Sequence, residues 1–171
     1  SEKRNKELEL CALIFTALPI VFVALVVSFS SKGPVFFWSD RVGLKGRIFK
    51  MPKFRTMLID TPSVATHLLD NPDKYLSPVG SLLRQMSLDE LPQLLSVLKG
   101  DMSFVGPRPA LFNQEDLILL RNKHGVETLL PGITGWAQVN GRDELSISEK
   151  VLLDIEYLNH QSFWLDMKIL W

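Results

Sequence analysis

The sequence contains too few cysteine and histidine residues to build the sites that these side chains usually form. Its single cysteine, Cys11, excludes an internal disulfide and a metal-binding cysteine cluster. The three histidines stand far apart, and no grouping of His, Cys and Asp has zinc spacing, so we interpret them as surface or hydrogen-bonded core residues. Internal repeats and low-complexity tracts are absent too, and 171 residues suffice for one compact domain.

The chain has no net charge, but this balance hides an asymmetry. Residues 1–55 contain 10 Lys and Arg and 4 Asp and Glu, which gives a net charge of +6. Residues 56–171 contain 9 Lys and Arg and 15 Asp and Glu, which gives a net charge of −6. The basic part also contains the most apolar segment, which suits an anionic membrane surface or phosphate groups. Because aromatic residues do not interleave with these basic residues as in a nucleic-acid-binding module, we predict no nucleic-acid partner.

The apolar segment Leu10–Ser31 has 22 residues without a charge, which is long enough for a transmembrane helix. However, Pro19 stands near its middle and removes a helical hydrogen bond. Both flanks are basic, and this bias favours placing both ends in the cytoplasm. We therefore predict that residues 1–31 form a re-entrant helix–break–helix, which enters the membrane, breaks at Pro19 and returns to the same face. A kinked single span and a buried helix of a soluble core are the alternatives.

The last ten residues, Ser162–Trp171, are rich in large apolar side chains. Trp164 and Trp171 are of the type that favours the headgroup level of a membrane, so this segment is predicted to be an interfacial helix. An ordinary core-facing helix is the alternative.

The pattern of residues 32–171 predicts an α+β fold, mostly helical with a small β-hairpin or sheet, in which the strands pair with each other or lie at a sheet edge. The predicted elements are strands at Pro34–Trp38 and Arg47–Phe54 around a turn at Val42–Gly46, helices at Ser77–Met86 and Leu91–Leu98, a helix after an N-cap at Asn113, a loop at Pro131–Arg142, and a helix that starts from a capping box of Ser146 and Glu149. Long loops between short elements are where sites are usually built.

Two adjacent carboxylates, Asp89 and Glu90, stand where a helix begins. Backbone N–H groups at a helix start favour the ionised carboxylate, which then serves as a nucleophile or a metal ligand at neutral pH. Adjacent helical residues diverge by about 100°, so the two side chains would have different tasks. The alternative is that Asp89, or Ser87 with Glu90, only caps the helix.

Two further segments offer groups that bind phosphate or a nucleotide. Prolines bracket Arg108 in Gly106–Pro109, which restricts the backbone and presents the guanidinium rigidly to a phosphate or carboxylate. The loop Pro131–Arg142 offers an aromatic face, amide groups and an arginine between glycines. The alternatives are a surface turn with a solvated arginine, and a connector with Trp136 in the core.

Six sequence blocks, taken in order, closely resemble the monotopic bacterial sugar transferases, which are phosphoglycosyl transferases acting on polyprenyl phosphate. The blocks are Ser31–Phe37, Lys53–Met57, Ser87–Gln93, Leu98–Ser103, Gly106–Pro109 and Pro131–Arg142. Any one of them alone is a weak signal, but six in one order are specific. The chain departs from the family pattern at Leu18-Pro19, where Ser-Pro is typical, and at Ser96, where asparagine is common.

The resemblance implies a reaction in which a UDP-sugar and undecaprenyl phosphate give undecaprenyl-diphosphate-sugar and UMP. Asp89 would attack the β-phosphate and hold the phosphosugar covalently, and Glu90, with Asp89, would hold Mg²⁺. The remaining candidates for substrate or phosphate binding are Arg108, Lys53, Arg84, Arg55, Arg142, Trp136 and Gln138.

The same resemblance implies where the protein works and with what. Residues 32–171 would be a catalytic domain on the cytoplasmic face of the bacterial inner membrane, in contact with its lipid. Many similar proteins take N-acetylated or deoxy-amino sugars on UDP, so such a donor is expected, and exposed aromatics would permit a homodimer. Two non-catalytic alternatives are an inactive scaffold for glycan assembly, which retention of Asp89, Glu90 and Arg108 disfavours, and a peripheral membrane adaptor.

Overall fold

The computed structural model of the chain describes residues 17–61, 71–141 and 144–171. These residues form two compact units. The first contains the described residues up to 37 together with 53–61 and 71–92, and the second contains 38–52 and the described residues from 93 onward. The fold is α+β and mostly helical, as predicted, and the described ranges hold two two-stranded sheets.

The first unit is built on helix α1, whose described part covers residues 17–30. Val23 and Val27, four residues apart, are buried side by side on one face of the helix. They pack with Phe54 and with Leu83 of helix α2 (Gly80–Gln85) in one hydrophobic cluster. Exposed apolar side chains on α1 are Leu18, Val21, Phe22, Leu25 and Phe29. The helix is thus apolar on its buried face and on its exposed face.

Residues 1–16, the first arm of the predicted re-entrant segment, lie outside the described ranges. From residue 17 the chain is helical through Pro19 and on to residue 30. Within the ranges that the structure describes, no helix is both long enough and apolar enough to cross a membrane. The re-entrant arrangement stays a prediction.

Strands β1 (Phe36–Val42) and β2 (Ile48–Phe54) pair as a two-stranded sheet. A connection this short does not allow a parallel crossover, so the pair is the antiparallel hairpin that the sequence predicted. Lys45 and Gly46 close the turn with positive φ angles of 53° and 76°. Strand β1 runs four residues beyond the predicted end at Trp38, and these four residues, Ser39–Val42, are all buried or partly buried.

The second unit contains, in chain order, helix α3 (Leu94–Leu98), strand β3 (Ser103–Val105), helix α4 (Glu115–Lys123), strand β4 (Gly132–Thr134) and helices α5 (Trp136–Val139), α6 (Ile147–His160) and α7 (Phe163–Leu170). Strands β3 and β4 pair in parallel, with Ser103 opposite Gly132 and Val105 opposite Thr134. Short 3₁₀ helices complete the described structure at Leu44–Gly46, Pro72–Tyr75, Leu88–Gln93 and Val126–Thr128.

Helix α6 organises the interior of the second unit, because it contributes to two of its hydrophobic clusters. Val151 packs with Ala110 and Leu117, and Tyr157 packs with residues of β3 and α7. The helix starts from the predicted capping box, which is confirmed: the Ser146 side chain accepts a hydrogen bond from the Glu149 N–H, and the Glu149 side chain accepts one from the Ser146 N–H. Local capping geometry of this kind depends on neighbouring residues alone.

Two predictions about this unit were wrong. Helix α4 begins at Glu115 with Gln114 at its N-cap, not at Asn113, and the Gln114 Oε1 atom accepts a hydrogen bond from the Leu111 N–H at 2.8 Å. The segment Pro131–Arg142 is not a plain loop, because it contains β4 and α5. Strand β4 pairs with β3, which lies more than 25 residues earlier in the chain. A search for patterns within one segment does not detect such pairing.

Candidate active site

The end of strand β2 brings Lys53 into the first unit. Successive side chains of a strand point to opposite faces, so Lys53 and Phe54 lie on opposite faces of β2. Phe54 is buried in the hydrophobic cluster beside α1, and its ring stacks on that of Phe36 with centroids 5.4 Å apart. Packing of Phe54 therefore fixes the side of the strand on which Lys53 lies.

A tight turn after helix α2 presents the two predicted carboxylates. Ser87 adopts a left-handed conformation with φ 54°, which is uncommon for a residue other than glycine. Asp89 and Glu90 then occupy the first turn of the 3₁₀ helix Leu88–Gln93. Leu88 and Leu91 from this helix pack against the core of the first unit. The hydrophobic contacts of the flanking leucines thereby hold the carboxylates in place.

Lys53 and Glu90, which are 37 residues apart in the sequence, form an ion pair. The Lys53 Nζ atom donates a hydrogen bond to Glu90 Oε1 at 2.7 Å. Both side chains are mostly shielded, at 15% and 18% exposure, so solvent screens this pair less than a surface pair.

Asp89, the neighbour of Glu90 in the sequence, is buried, at 7% exposure. Contrary to the expectation that the helix start favours the ionised form, burial raises the pKa of its carboxyl above the ordinary value. The charges of Lys53 and Arg84 oppose this shift, while Glu90 adds to it. Arg84 is itself held by a hydrogen bond from its Nε atom to Thr56 Oγ1 at 3.0 Å. The structure thus brings together two carboxylates and two cations whose formal charges cancel.

Arg55, a predicted phosphate-binding residue, lies in a different setting within the same unit. It is 6% exposed, and its Nη2 atom donates to the carbonyl and to the hydroxyl oxygen of Ser31, each at 2.8 Å. Its Nε and Nη1 atoms are buried and have no hydrogen-bond partner within the described ranges. The guanidinium therefore ties the residue that follows helix α1 to the end of β2, and its binding of phosphate stays a prediction.

Arg108 belongs to the second unit, where the backbone beside it is held on both sides. The Gly132 N–H donates to the Pro107 carbonyl at 2.9 Å, and the Val42 N–H donates to the Ala110 carbonyl at 2.9 Å. The Arg108 side chain is half-buried. These contacts hold the backbone on both sides of Arg108, and the binding of phosphate by its side chain stays a prediction.

The other predicted binding residues lie in or beside helix α5 of the second unit. The Trp136 ring packs against the cluster of Val105 and Tyr157, and the Lys168 Nζ atom lies 5.2 Å from the ring centroid. This placement favours the alternative in which the ring belongs to the core. Both polar atoms of the Gln138 side chain are buried without a hydrogen-bond partner among the described residues. Arg142 lies outside the described ranges.

The carboxylate pair was also predicted to hold Mg²⁺. No group of three or more His, Cys, Asp and Glu side chains able to hold a metal occurs in the described part of the chain. Asp89 and Glu90 are nonetheless of the right chemistry, because Mg²⁺ prefers oxygen ligands and is often bound by one or two carboxylates together with substrate phosphates. The two side chains fit a cation that a phosphate-bearing substrate would share.

The sequence interpretation missed Thr56, Arg121 and Asp154. Thr56 orients Arg84, and Arg121 is ion-paired with Asp154, with its Nη2 atom 2.7 Å from Asp154 Oδ2. A signal for Asp154 existed in the sequence: it lies three residues from Val151 and from Tyr157, on the buried stripe of α6. A carboxylate at a core position of an amphipathic helix indicates a buried partner.

Comparison with known proteins shows which family the sequence of this chain matches. A family model described as "Bacterial sugar transferase" matches residues 5–171. The uncharacterized sugar transferase EpsL of Bacillus subtilis (strain 168) is 45% identical over 168 residues, which cover 95% of this chain and 81% of EpsL. The UDP-glucose:undecaprenyl-phosphate glucose-1-phosphate transferase of Escherichia coli (strain K12) is 41% identical over 98% of this chain. The undecaprenyl-phosphate glucose phosphotransferase of Komagataeibacter xylinus is 39% identical over 99% of it. The chain spans 38% and 34% of the length of these last two relatives.

Proposed function

We propose, from the premise that this chain belongs to the bacterial sugar transferase family, that it moves a sugar phosphate from a UDP-sugar to undecaprenyl phosphate and releases UMP. The observation that carries the proposal is the buried Asp89, which lies beside Glu90 and within the field of Lys53 and Arg84. The names of the relatives from Escherichia coli and Komagataeibacter xylinus support the same reaction class.

In the first step, an Asp89 oxygen attacks the β-phosphorus of the donor, which carries the sugar. The bond from that phosphorus to the oxygen bridging it to the α-phosphate breaks, and UMP leaves with that oxygen. Burial has already raised the pKa of Asp89, so its free carboxylate is disfavoured. Formation of the acyl phosphate removes the negative charge from the buried carboxyl group, while the transferred phosphoryl group keeps its own charge.

In the second step, a phosphate oxygen of the polyprenyl phosphate attacks the same phosphorus. The bond to Asp89 breaks, the polyprenyl-diphosphate-sugar forms, and the carboxylate is regenerated. Lys53 and Arg84 hold positive charge close to Asp89 in both steps, where negative charge on the transferring phosphoryl group is greatest.

The balance of charge in this cluster supports the proposed need for Mg²⁺. Lys53 and Arg84 neutralise Asp89 and Glu90, so the four side chains together provide no net positive charge for a diphosphate. A bound Mg²⁺ would supply that charge at the leaving phosphate. Asp89 and Glu90 are the residues that would hold it through their oxygens, and Lys53 orients the Glu90 carboxylate through the contact of 2.7 Å.

Two relatives named for glucose make UDP-glucose the first donor to test. Their names give no support to the expectation of an N-acetylated or deoxy-amino sugar. The residues placed at the carboxylate cluster contact phosphate in this mechanism and leave the sugar unspecified. Glucose-1-phosphate is therefore the proposed group, and the amino sugars serve as competitors in the assay.

Two apolar surfaces support a location at the membrane. In the first unit, α1 exposes five large apolar side chains, among them Phe29 at 87% exposure. In the second unit, α7 exposes Phe163 and Trp164 at 70% or more. Exposed apolar surface of this kind is typical of a protein that contacts lipid. We place the site at the cytoplasmic face of the inner membrane, where a soluble nucleotide and a lipid substrate both arrive, with a re-entrant turn at Pro19.

The test is UMP release from UDP-glucose, UDP-galactose and UDP-N-acetylated sugars, with Mg²⁺ and undecaprenyl phosphate present. Lipid-dependent release of UMP from one of them is the expected result. A folded, membrane-bound protein that releases UMP from no donor would instead favour the inactive scaffold, which keeps the fold without the reaction.

Replacing Lys53 by methionine is expected to lower kcat/KM by about tenfold to a hundredfold, because a charge-assisted hydrogen bond of about 1.5–3 kcal/mol is lost. Asp89 and Glu90 would also lose the cation that opposes the rise in the pKa of Asp89. Lys50→Met is the matched control on the same strand, because Lys50 pairs with Asp40 at 3.0 Å on an exposed surface. Equal activity of the two variants would contradict the assigned role of Lys53.

A further inference from the structure

Two arginine side chains hold the backbone of the segment that carries Arg108. The Arg121 Nη1 atom donates to the Arg108 carbonyl at 2.8 Å, and the Arg41 Nη1 atom donates to the Pro109 carbonyl at 3.1 Å. Together with the main-chain bonds to Pro107 and Ala110, these contacts occupy four successive carbonyls.

The sequence of the segment explains why side chains are needed there. Pro107 and Pro109 have no N–H group, so the segment cannot donate the alternating hydrogen bonds that would hold it as an ordinary strand. It can be held mainly through its carbonyls. A guanidinium suits this task, because it presents several donors in a fixed plane.

A buried carboxylate fixes the direction of the Arg121 guanidinium. Asp154 is 1% exposed, and its Oδ2 atom accepts hydrogen bonds from Arg121 Nε at 2.9 Å and contacts Nη2 at 2.7 Å. Asp154 stands on α6, whose capping box and hydrophobic contacts anchor it in the second unit. Helix α6 thus determines, through two side chains, where the Arg108 carbonyl lies.

We propose that Arg121 and Asp154 are positioning residues for Arg108. They fix the backbone below the Arg108 side chain, and thereby the place from which its guanidinium reaches a phosphate of the substrate. The inference rests on the proposed function and adds to it the phosphate contact that the sequence predicts for Arg108. A displacement of about 1 Å in such a group can lower a rate by about a hundredfold, so the support has kinetic consequences.

The test variant combines Arg121→Met with Asp154→Leu. Removing either residue alone would leave a buried charge without its partner and could prevent folding, whereas replacing both with apolar residues of similar size often preserves stability. Tyr157→Phe is the matched control. It removes a hydrogen bond of 2.7 Å to Asp166 from the same helix without touching the Arg108 segment.

We expect the double variant to lower kcat/KM for the UDP-sugar by about tenfold or more. The same double change in an Arg108→Ala protein should have little further effect, because a residue that acts through Arg108 has nothing to position once the guanidinium is gone. Tyr157→Phe should leave kcat/KM unchanged in both backgrounds. Losses that multiply in the combined variant would overturn the inference, since they indicate a general effect on structure.

Hydrogen exchange provides a readout that does not depend on activity. The amides of Gly132 and Val42 donate to the carbonyls on either side of the segment, so they should exchange faster in the double variant than in Tyr157→Phe. Unchanged exchange at both amides would show that the pair does not hold the segment. If exchange rises but Arg108→Ala retains full activity, the phosphate role of Arg108 is wrong although the pair does hold the backbone.

Discussion

Replacing Asp89 with asparagine is expected to lower sugar-phosphate transfer by at least about a thousandfold, as loss of an essential nucleophile does in other enzymes. The amide has nearly the shape of the carboxylate but cannot form the bond to phosphorus. Asp116→Asn is the matched control, because it makes the same change at an exposed position in the first turn of α4. That control should retain full activity.

A second measurement separates the nucleophile from a metal ligand. With UDP-glucose carrying a labelled sugar and no polyprenyl phosphate, the wild-type protein should retain the label covalently and release UMP once. Asp89→Asn should retain no label, whereas Glu90→Gln should retain some label at a reduced rate or with a higher Mg²⁺ requirement. Substantial turnover or labelling by Asp89→Asn would exclude Asp89 as the nucleophile.

Asp89→Asn should not lower the free energy of unfolding. The pKa of Asp89 is raised in the folded chain, so its ionised form is less stable there than in the unfolded chain, and above that pKa the charge lowers the free energy of unfolding. Asparagine removes this charge. A thermal midpoint equal to or above that of the wild type would show that activity was lost through chemistry, and a clearly lower midpoint would contradict the sign of this effect.

Replacing Gly132 with alanine is expected to lower the free energy of unfolding by about 3 kcal/mol or more. Overpacking costs about 1–3 kcal/mol where side chains can move aside, and the atoms that crowd this position belong to the backbone, which moves less easily. A Cβ atom there would overlap the backbone nitrogen of Gly106 and the carbonyl oxygen of Thr134. Strands β3 and β4 would have to separate, and the bond from the Gly132 N–H to the Pro107 carbonyl would be lost.

Gly100→Ala is the control for this prediction. Gly100 has a φ of +80°, which is unfavourable for alanine, but a Cβ atom there meets nothing within 4 Å. Its expected cost is about 1–2 kcal/mol, from backbone conformation alone. The thermal midpoints should differ by roughly 2–4 °C for each kcal/mol between the variants. Equal midpoints would mean that the close approach at Gly132 relaxes at little cost.

Features that depend on neighbouring residues were predictable from the sequence. The capping box of Ser146 and Glu149 and the hairpin around Lys45 are set by backbone geometry over a few positions, and both occur as predicted. The position of Asp89 and Glu90 at a helix start was also correct, although the helix is 3₁₀. Pro92 within it lacks the N–H that a regular α-helix would use there.

Features that depend on distant residues were not predictable in the same way. The ion pair of Lys53 with Glu90 and that of Arg121 with Asp154 join residues 37 and 33 positions apart. Strand β4 has three residues, too few to show alternation, and is defined by its partner. In these cases tertiary packing selects one contact among many that the local pattern allows.

The packing of α1 on Phe54 has a consequence for anyone wishing to prepare this protein in water. Val23 and Val27 fill the same cluster as Phe54, Leu88 and Leu91, so deleting the helix would expose the core under the carboxylates. Trimming the apolar segment is therefore the wrong route to a detergent-free enzyme. Polar substitutions confined to its exposed positions, such as Phe22 and Phe29, would keep the buried face intact while reducing the apolar surface that the helix exposes.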